Sequence, residues 1–236
     1  NNDLKNIKQI FNKNNLNIKK VLIKKFVEGI QIINQNNNTE TFFKIKINKE
    51  ISSISFFDKA SLRYVEYFNF GTNIIFKDIK KVCSIDNEII EKILSDKFYE
   101  NKSFKDNELL EEKYFNQGNY RKIRKQLIID IVNARLEEIT SIILNKNINV
   151  ESFKEKNNPI YVIIEDQLIF DNFKENLKSY FSKDYNFKPH LINDFQIDEL
   201  IMSAAHVSIY GWKKEAIPVT QTKNSLITRI FKSLFG

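Results

Sequence analysis

The chain has 236 residues, 42% of them hydrophobic, enough for one large or two small domains with a buried core, which excludes disorder of the whole. Lys and Arg number 37 against 30 Asp and Glu, a formal charge of +7 that mildly favours acidic partners such as lipid headgroups, acidic peptides or nucleic acid. The lone cysteine, Cys83, excludes an internal disulfide, and no apolar run approaches the ~20 residues needed to cross a bilayer, so any membrane contact is expected to be peripheral.

Asn, Lys and Ile are abundant while Gly, Pro and Ala are scarce, a bias in which much of the lysine carries no function. The arginines Arg63, Arg121, Arg124, Arg135 and Arg229 are better candidates for bidentate contacts. The chain opens on Asn1 rather than Met and shows no signal-peptide pattern, so a longer parent chain is expected.

Leu4, Ile7, Ile10 and Phe11 recur at helical spacing. Val21-Leu22-Ile23 reads as a short buried strand, residues 26–33 as a second helix, and 34–39 as a loop. Residues 42–47, 52–57 and 63–70 are β-rich runs separated by Asn48-Lys49-Glu50 and Asp58-Lys59-Ala60, expected as consecutive antiparallel strands. Gly71 ends that meander, and Asn73 is placed as the cap of a helix with Ile74, Ile75, Ile79 and Val82 inward. A helix over 87–94 follows, then a charged, loop-like stretch over 95–117.

Residues 120–144 form the clearest helical pattern, with Ile123, Leu127, Ile131, Ala134, Ile139 and Ile142 as its core stripe. After Pro159, residues 160–164 read as a strand covered on both faces. A helix over 168–181, a short strand over 190–192 and a helix over 197–210 complete the body, with Gly211 as C-cap.

Residues 213–224 are polar, contain Pro218 and read as a flexible tether. In 225–236, Leu226, Ile227, Ile230, Phe231, Leu234 and Phe235 fall on one half of a helix at about 100° per residue, with Thr228, Arg229, Lys232 and Ser233 on the other. A helix this short is marginal in water. An anionic membrane surface rewards both halves, the apolar one by insertion and Arg229 and Lys232 by headgroup attraction.

Three segments carry a resemblance to a known family. "LRYVEYFNFGTNIIFKDIKKV" from Leu62 to Val82, "NARLEEITSIIL" from Asn133 to Leu144 and "SAAHVSIYGW" from Ser203 to Trp212 resemble, in the same order, segments of the C-terminal half of the bacterial cell-division protein FtsA. That resemblance spans nearly the whole chain. It implies an α/β fold, the second half of an actin-like (ribonuclease H-like) fold, with a mixed sheet, flanking helices and a small inserted α/β subdomain. Residues 1–70 and 147–212 would form the large subdomain and 71–146 the inserted, partner-binding one, with 213–224 as linker and 225–236 as membrane helix.

The resemblance also implies tethering of the tubulin-like protein FtsZ to the inner face of the cytoplasmic membrane at the division site, possible self-association into filaments, and ATP with Mg²⁺ as the family's ligand. The loops depart from that pattern. Where the family has a Gly-rich phosphate loop between two strands, this chain has Lys46-Ile47-Asn48-Lys49-Glu50, with Lys in place of the first Asp. After the late strand, Glu165-Asp166-Gln167 replaces a Gly-rich adenosine loop, while Gly71 keeps its place. We therefore expect a degenerate nucleotide site, no cofactor and no enzymatic activity; the alternative is an actin-fold ATPase that binds ATP together with a preceding half.

For the FtsZ tail, which is acidic and apolar, the resemblance points to the 120–144 helix. Arg135 matches a family arginine, and Arg121 and Arg124 make the helix start basic. Arg135 could instead pair with Glu137 or Glu138, and the basic turn could be a solvated face. His190 and His206 have no companion ligands at metal spacing, and His206 is expected to be partly buried. Glu165 and Asp166, adjacent at a strand end, point to opposite sides. Trp212 either sits at the membrane interface or covers the last helix. Nucleic-acid binding would use aromatic residues such as Phe68 and Phe70; that reading leaves the terminal helix unexplained, and no nucleic-acid partner is expected.

Overall fold

The computed structural model describes residues 2–36, 39–96, 107–115, 120–153, 158–183 and 189–212. The chain divides into two compact units, Thr39–Asp58 with Arg63–Asp194, and Asn1–Asn38 with Lys59–Leu62 and Phe195–Gly236.

The described strands β1 (Phe42–Ile47), β2 (Ser52–Asp58), β3 (Ser61–Phe68), β4 (Ile160–Ile164) and β5 (Pro189–Leu191) form one sheet in the order β3-β2-β1-β4-β5. β1 and β2 are antiparallel, with Phe42 opposite Phe57 and Ile47 opposite Ser52, whereas β4 lies parallel to β1 and β5 parallel to β4. Lys59 and Ala60 connect β2 to β3 with φ of 49° and 64°. Two successive positive φ angles make a tight turn whose twist suits a hairpin, so β3 runs antiparallel to β2. This order and these directions are those of a ribonuclease H-like sheet, the building block of actin-like folds, as the resemblance implies.

β1 is buried along its whole length. Because strand side chains alternate, Phe43, Ile45 and Ile47 share one face and Phe42, Lys44 and Lys46 the other. The first face joins Ile54 and Phe56 of β2 and Ile160, Val162 and Ile164 of β4 in the main hydrophobic core. Helices α3 (Asn73–Cys83), α4 (Asn87–Ser95), α5 (Lys125–Thr140), the short α6 (Ile148–Glu151) and α7 (Gln167–Ser182) complete it, with α5 packed beside both α3 and α7. Segment 71–146, expected as an inserted subdomain, thus contributes its helices to the same core as the sheet.

Several local expectations are corrected. The α3 stripe is Ile75, Ile79 and Cys83, and Val82 is exposed. An i, i+4, i+8 row forms a narrower seam than the mixed set read from sequence. Thr72, not Asn73, is the N-cap of α3, and Asn73 donates from its side chain to Glu50. The long helix begins at Lys125 rather than Tyr120, because Leu110 N–H donates to Ile123 O (2.8 Å) and Lys125 N–H to Glu108 O (2.8 Å), holding 120–124 out of the helix. It buries Ile128, Val132, Leu136 and Ile139, then widens into a π turn at Ser141–Asn145, which leaves Ile142 exposed. The widened turn shifts the register of the helix face.

The second unit contains α1 (Asn2–Lys13), α2 (Lys24–Gln35) and α8 (Ile197–Tyr210), with α2 packed on α8. Ser203 donates to Gln31 Oε1 (2.6 Å), and Lys20 Nζ to Ser208 O (2.9 Å). Gln196 and Glu199 form a capping box at the start of α8. Gly211 ends it at φ 76°, with its N–H on Val207 O, as the sequence predicts. Residues Val21-Leu22-Ile23 are not a strand: Val21 and Ile23 are exposed, and Ile23 is the N-cap position of α2. A three-residue apolar run between lysine pairs cannot by its pattern distinguish a strand from an exposed lead-in.

Candidate functional site

Because β1 and β4 are parallel, the loops that follow them emerge at the same end of the sheet. Glu165 N–H donates to Ile47 O at 3.0 Å and ties those two exits together. A third segment, 71–73, closes over the first loop: Thr72 N–H donates to Asn48 O (3.0 Å) and Asn73 N–H to Lys49 O (2.9 Å). The fold thereby gathers the sequence-predicted loop residues Asn48, Lys49, Glu50, Gly71, Glu165 and Asp166, with Lys46 on the strand leading into them.

Gly71 is required by this approach. A Cβ built on it would lie 2.0 Å from Asn48 O and 2.7 Å from both the carbonyl carbon and oxygen of Lys49. The missing side chain makes room for the chain's own backbone. Asp166 is buried and caps α7, accepting from Ile169 N–H (3.4 Å) and from the buried hydroxyl of Thr72 (3.1 Å). Its neighbour Glu165 is exposed, so the two carboxylates do diverge.

Lys46, on the β1 face opposite the main core, is only 6% exposed and donates its ammonium to the Asp194 carboxylate. A buried cation needs such a partner to remain charged. Asn48 N–H is engaged as well, on Ile51 O at 3.0 Å. Cradling a phosphate takes a concave set of backbone amides pointing outward. In this cluster the amides of Asn48, Thr72, Asn73 and Glu165 point into the protein, whereas Asn48 Oδ1, an acceptor, is buried with no hydrogen-bond partner among the described residues. Thr72 and Asp194 were missed from sequence because neither lies in a loop of unusual composition.

Arg135 is held by Asp78 of α3 and by Glu138 one turn along its own helix. Asp78 joins it through tertiary packing, and sequence spacing did not reveal that contact. Arg121 and Arg124 are exposed on the segment before α5, so they do not form the start of the helix as expected. His206 is exposed rather than partly buried and lies beside Tyr210, while His190 stacks on Tyr161 at 5.2 Å. Among the described residues, no group of His, Cys, Asp and Glu could hold a metal, and no helix is long and apolar enough to cross a membrane. Phe68 and Phe70 contact each other and pack against the core. Trp212 donates its indole N–H to Ala60 O at 3.0 Å. The membrane-helix residues Leu226, Ile227, Arg229, Ile230, Phe231, Lys232, Leu234 and Phe235, like the 213–224 tether, lie outside the described residues.

No protein-family model matches the sequence, and no curated protein does. Among solved structures, the chain is similar to the ethanolamine utilization protein EutJ from Carboxydothermus hydrogenoformans, at 11% identity and a TM-score of 0.48 over 86% of this chain and 59% of that one. It is also similar to a chain of the PilM-PilN type IV pilus biogenesis complex (13%, 0.48, over 82% and 51%) and to MreB 5 of Spiroplasma citri bound to AMPPNP (13%, 0.48, over 89% and 60%). The chain therefore spans between 51% and 60% of the length of these structures. The fold reading rests on the strand order and directions of this chain's own sheet.

Proposed function

We propose that this chain is a non-hydrolysing adaptor of the FtsA type, which attaches a tubulin-like FtsZ polymer to the anionic inner face of the cytoplasmic membrane at the division site. The observation that carries the reading is the closed loop cluster. At the positions where the resemblance puts a nucleotide, the 48–51 hairpin packs on Gly71, Thr72 bonds Asp166, and a lysine bound to Asp194 stands where an acidic residue would work through a metal. Such a clasp supports a structural use of the loops, with neither ATP nor Mg²⁺ as cofactor.

The sequence of 225–236 supplies the membrane contact, its six apolar residues entering the acyl boundary beside Arg229 and Lys232. Arg121 and Arg124 are the cations offered to the FtsZ tail, since Arg135 is already engaged by Asp78 and Glu138. Self-association into filaments belongs to the same reading.

Three measurements test it. Calorimetric titration with ATP and Mg²⁺ is expected to give no heat of binding, in this chain and in any longer form; tight binding would establish the ATPase reading instead. F231E/F235E is expected to release the protein from anionic vesicles. R121E/R124E is expected to weaken binding of an FtsZ tail peptide at least tenfold, and unchanged affinity removes both arginines from the proposed surface.

A further inference from the structure

Net charge is unevenly placed along this chain. Residues 1–25 hold seven lysines and one carboxylate, a net +6 of the chain's +7, and residues 213–236 add five basic groups against one acidic, which leaves 26–212 at −3. Biased composition would scatter lysines along the whole chain. Their concentration at the two ends calls for a local reason.

The structure adds an independent observation at the first of these ends. α1 has no buried residue, and Ile7, Ile10 and Phe11 on it, with Leu16, Val21 and Ile23 just after it, are between 42% and 65% exposed. Lys5, Lys8, Lys13, Lys19, Lys20 and Lys24 are exposed in the same stretch. On α1, Leu4, Ile7, Ile10 and Phe11 fall within about a third of the helix circumference at 100° per residue, flanked by Lys5 and Lys8 on one side. A 12-residue helix without tertiary burial gains little stability in water.

We propose that α1 and the strap to Lys24 form a second lipid-binding surface whose ligand is an anionic bilayer. Exposed apolar side chains ringed by lysines match the two requirements of an interfacial helix, insertion of one face and attraction of the other to acidic headgroups. Each lysine near an anionic leaflet strengthens binding about fivefold. Charge selects the occupant: an acidic leaflet complements six exposed lysines, whereas a second copy of the same stretch would oppose them with like charge. With the proposed tail helix, the protein would hold the membrane at two points, and the second contact of one molecule is then intramolecular, worth about 100-fold or more in apparent affinity.

The test is co-sedimentation of the full chain with phosphatidylglycerol-containing and pure phosphatidylcholine vesicles, using I10E/F11E and K5E/K8E/K13E beside the tail variant F231E/F235E. None of these α1 residues is buried, so circular dichroism of the body should be unchanged. Each α1 variant is expected to weaken binding to the acidic vesicles at least tenfold, with little binding to neutral ones. Unchanged affinity of both α1 variants, while F231E/F235E abolishes binding, overturns the second surface and leaves the tail anchor standing. Loss through α1 with no effect of F231E/F235E does the reverse. Equal binding to neutral and acidic vesicles overturns the surface too, as does an α1 variant that changes only the sedimentation coefficient, which would make α1 an interface between copies.

Discussion

Lys46 on β1 and Asp194, separated by 148 residues, form an ion pair in which the ammonium is almost fully buried and the carboxylate half-exposed. The asymmetry fixes which partner matters more. Asp194→Ala leaves a buried cation without its carboxylate and is expected to cost about 3–5 kcal/mol. Lys46→Met removes the charge itself and leaves an anion within reach of water, so its cost is expected to be about 1–2 kcal/mol. Urea denaturation of the two variants measures the difference, and equal costs would mean that water already reaches the ammonium.

Gly71→Ala forces a methyl group into the Asn48 and Lys49 backbone. The hairpin must retreat and give up the amide bonds from Thr72 and Asn73. A loss of about 2–3 kcal/mol is expected by thermal or urea unfolding. A neutral result would show that the hairpin moves aside freely and that the clasp does not hold.

Asp166→Ala removes both the cap of α7 and the acceptor of the Thr72 hydroxyl. Capping losses run about 0.5–2 kcal/mol, and the orphaned buried hydroxyl adds to them, so about 2 kcal/mol in total is expected. Asp166→Asn keeps an acceptor and should recover most of it in the same unfolding assay.

Tyr114 and Asp96 are joined by a hydrogen bond with opposite effects on their acidities. The Tyr114 hydroxyl, followed by Lys113, holds the Asp96 carboxyl below its ordinary value. Burial, reinforced by Asp96, pushes Tyr114 up to about 12. A depressed carboxyl contributes stability at neutral pH that is lost as pH falls below the usual carboxylate range and through the lowered value; a raised phenol contributes below about pH 10 and loses it as pH climbs towards 12. Tyr114→Phe is expected to flatten part of both flanks of the stability–pH curve. Tyr64, also raised to about 12 by burial and its bond to Glu66, should retain part of the alkaline flank, together with Tyr180 and Cys83, which burial also raises.

Arg135→Leu tests the bridge between α3 and α5. Losing the contacts to Asp78 and Glu138 at a half-exposed site is expected to cost about 1–2 kcal/mol. A stability loss of this size with unchanged affinity for the FtsZ tail peptide proposed above as partner would assign Arg135 to the scaffold.

The periodic elements were legible in the sequence because their signal is local. Alternation in Phe42–Ile47 and the unbroken apolar run Ile160–Ile164 mark strands, and Gly211 marks a helix end, since each depends only on neighbouring residues. The weaker patterns failed where local information is ambiguous. Val21-Leu22-Ile23 has the composition of a strand but no neighbouring strand among the described residues, and the apolar residues of 120–124 fit a helix until the bonds to Glu108 and Leu110 hold them out of it.

The sequence by itself determined the α/β layering, the glycine-free, charged chemistry of the Lys46–Glu50 and Glu165–Asp166 loops, and the two-faced pattern of 225–236, because residue identity and spacing alone set those properties. Only the tertiary structure decided what these loops do with their polar groups. The partners Asp194 for Lys46, Thr72 for Asp166 and Asp78 for Arg135 are 148, 94 and 57 residues away along the chain. Pairings at that range follow from which strands lie parallel and which helices pack together, and no local pattern encodes them.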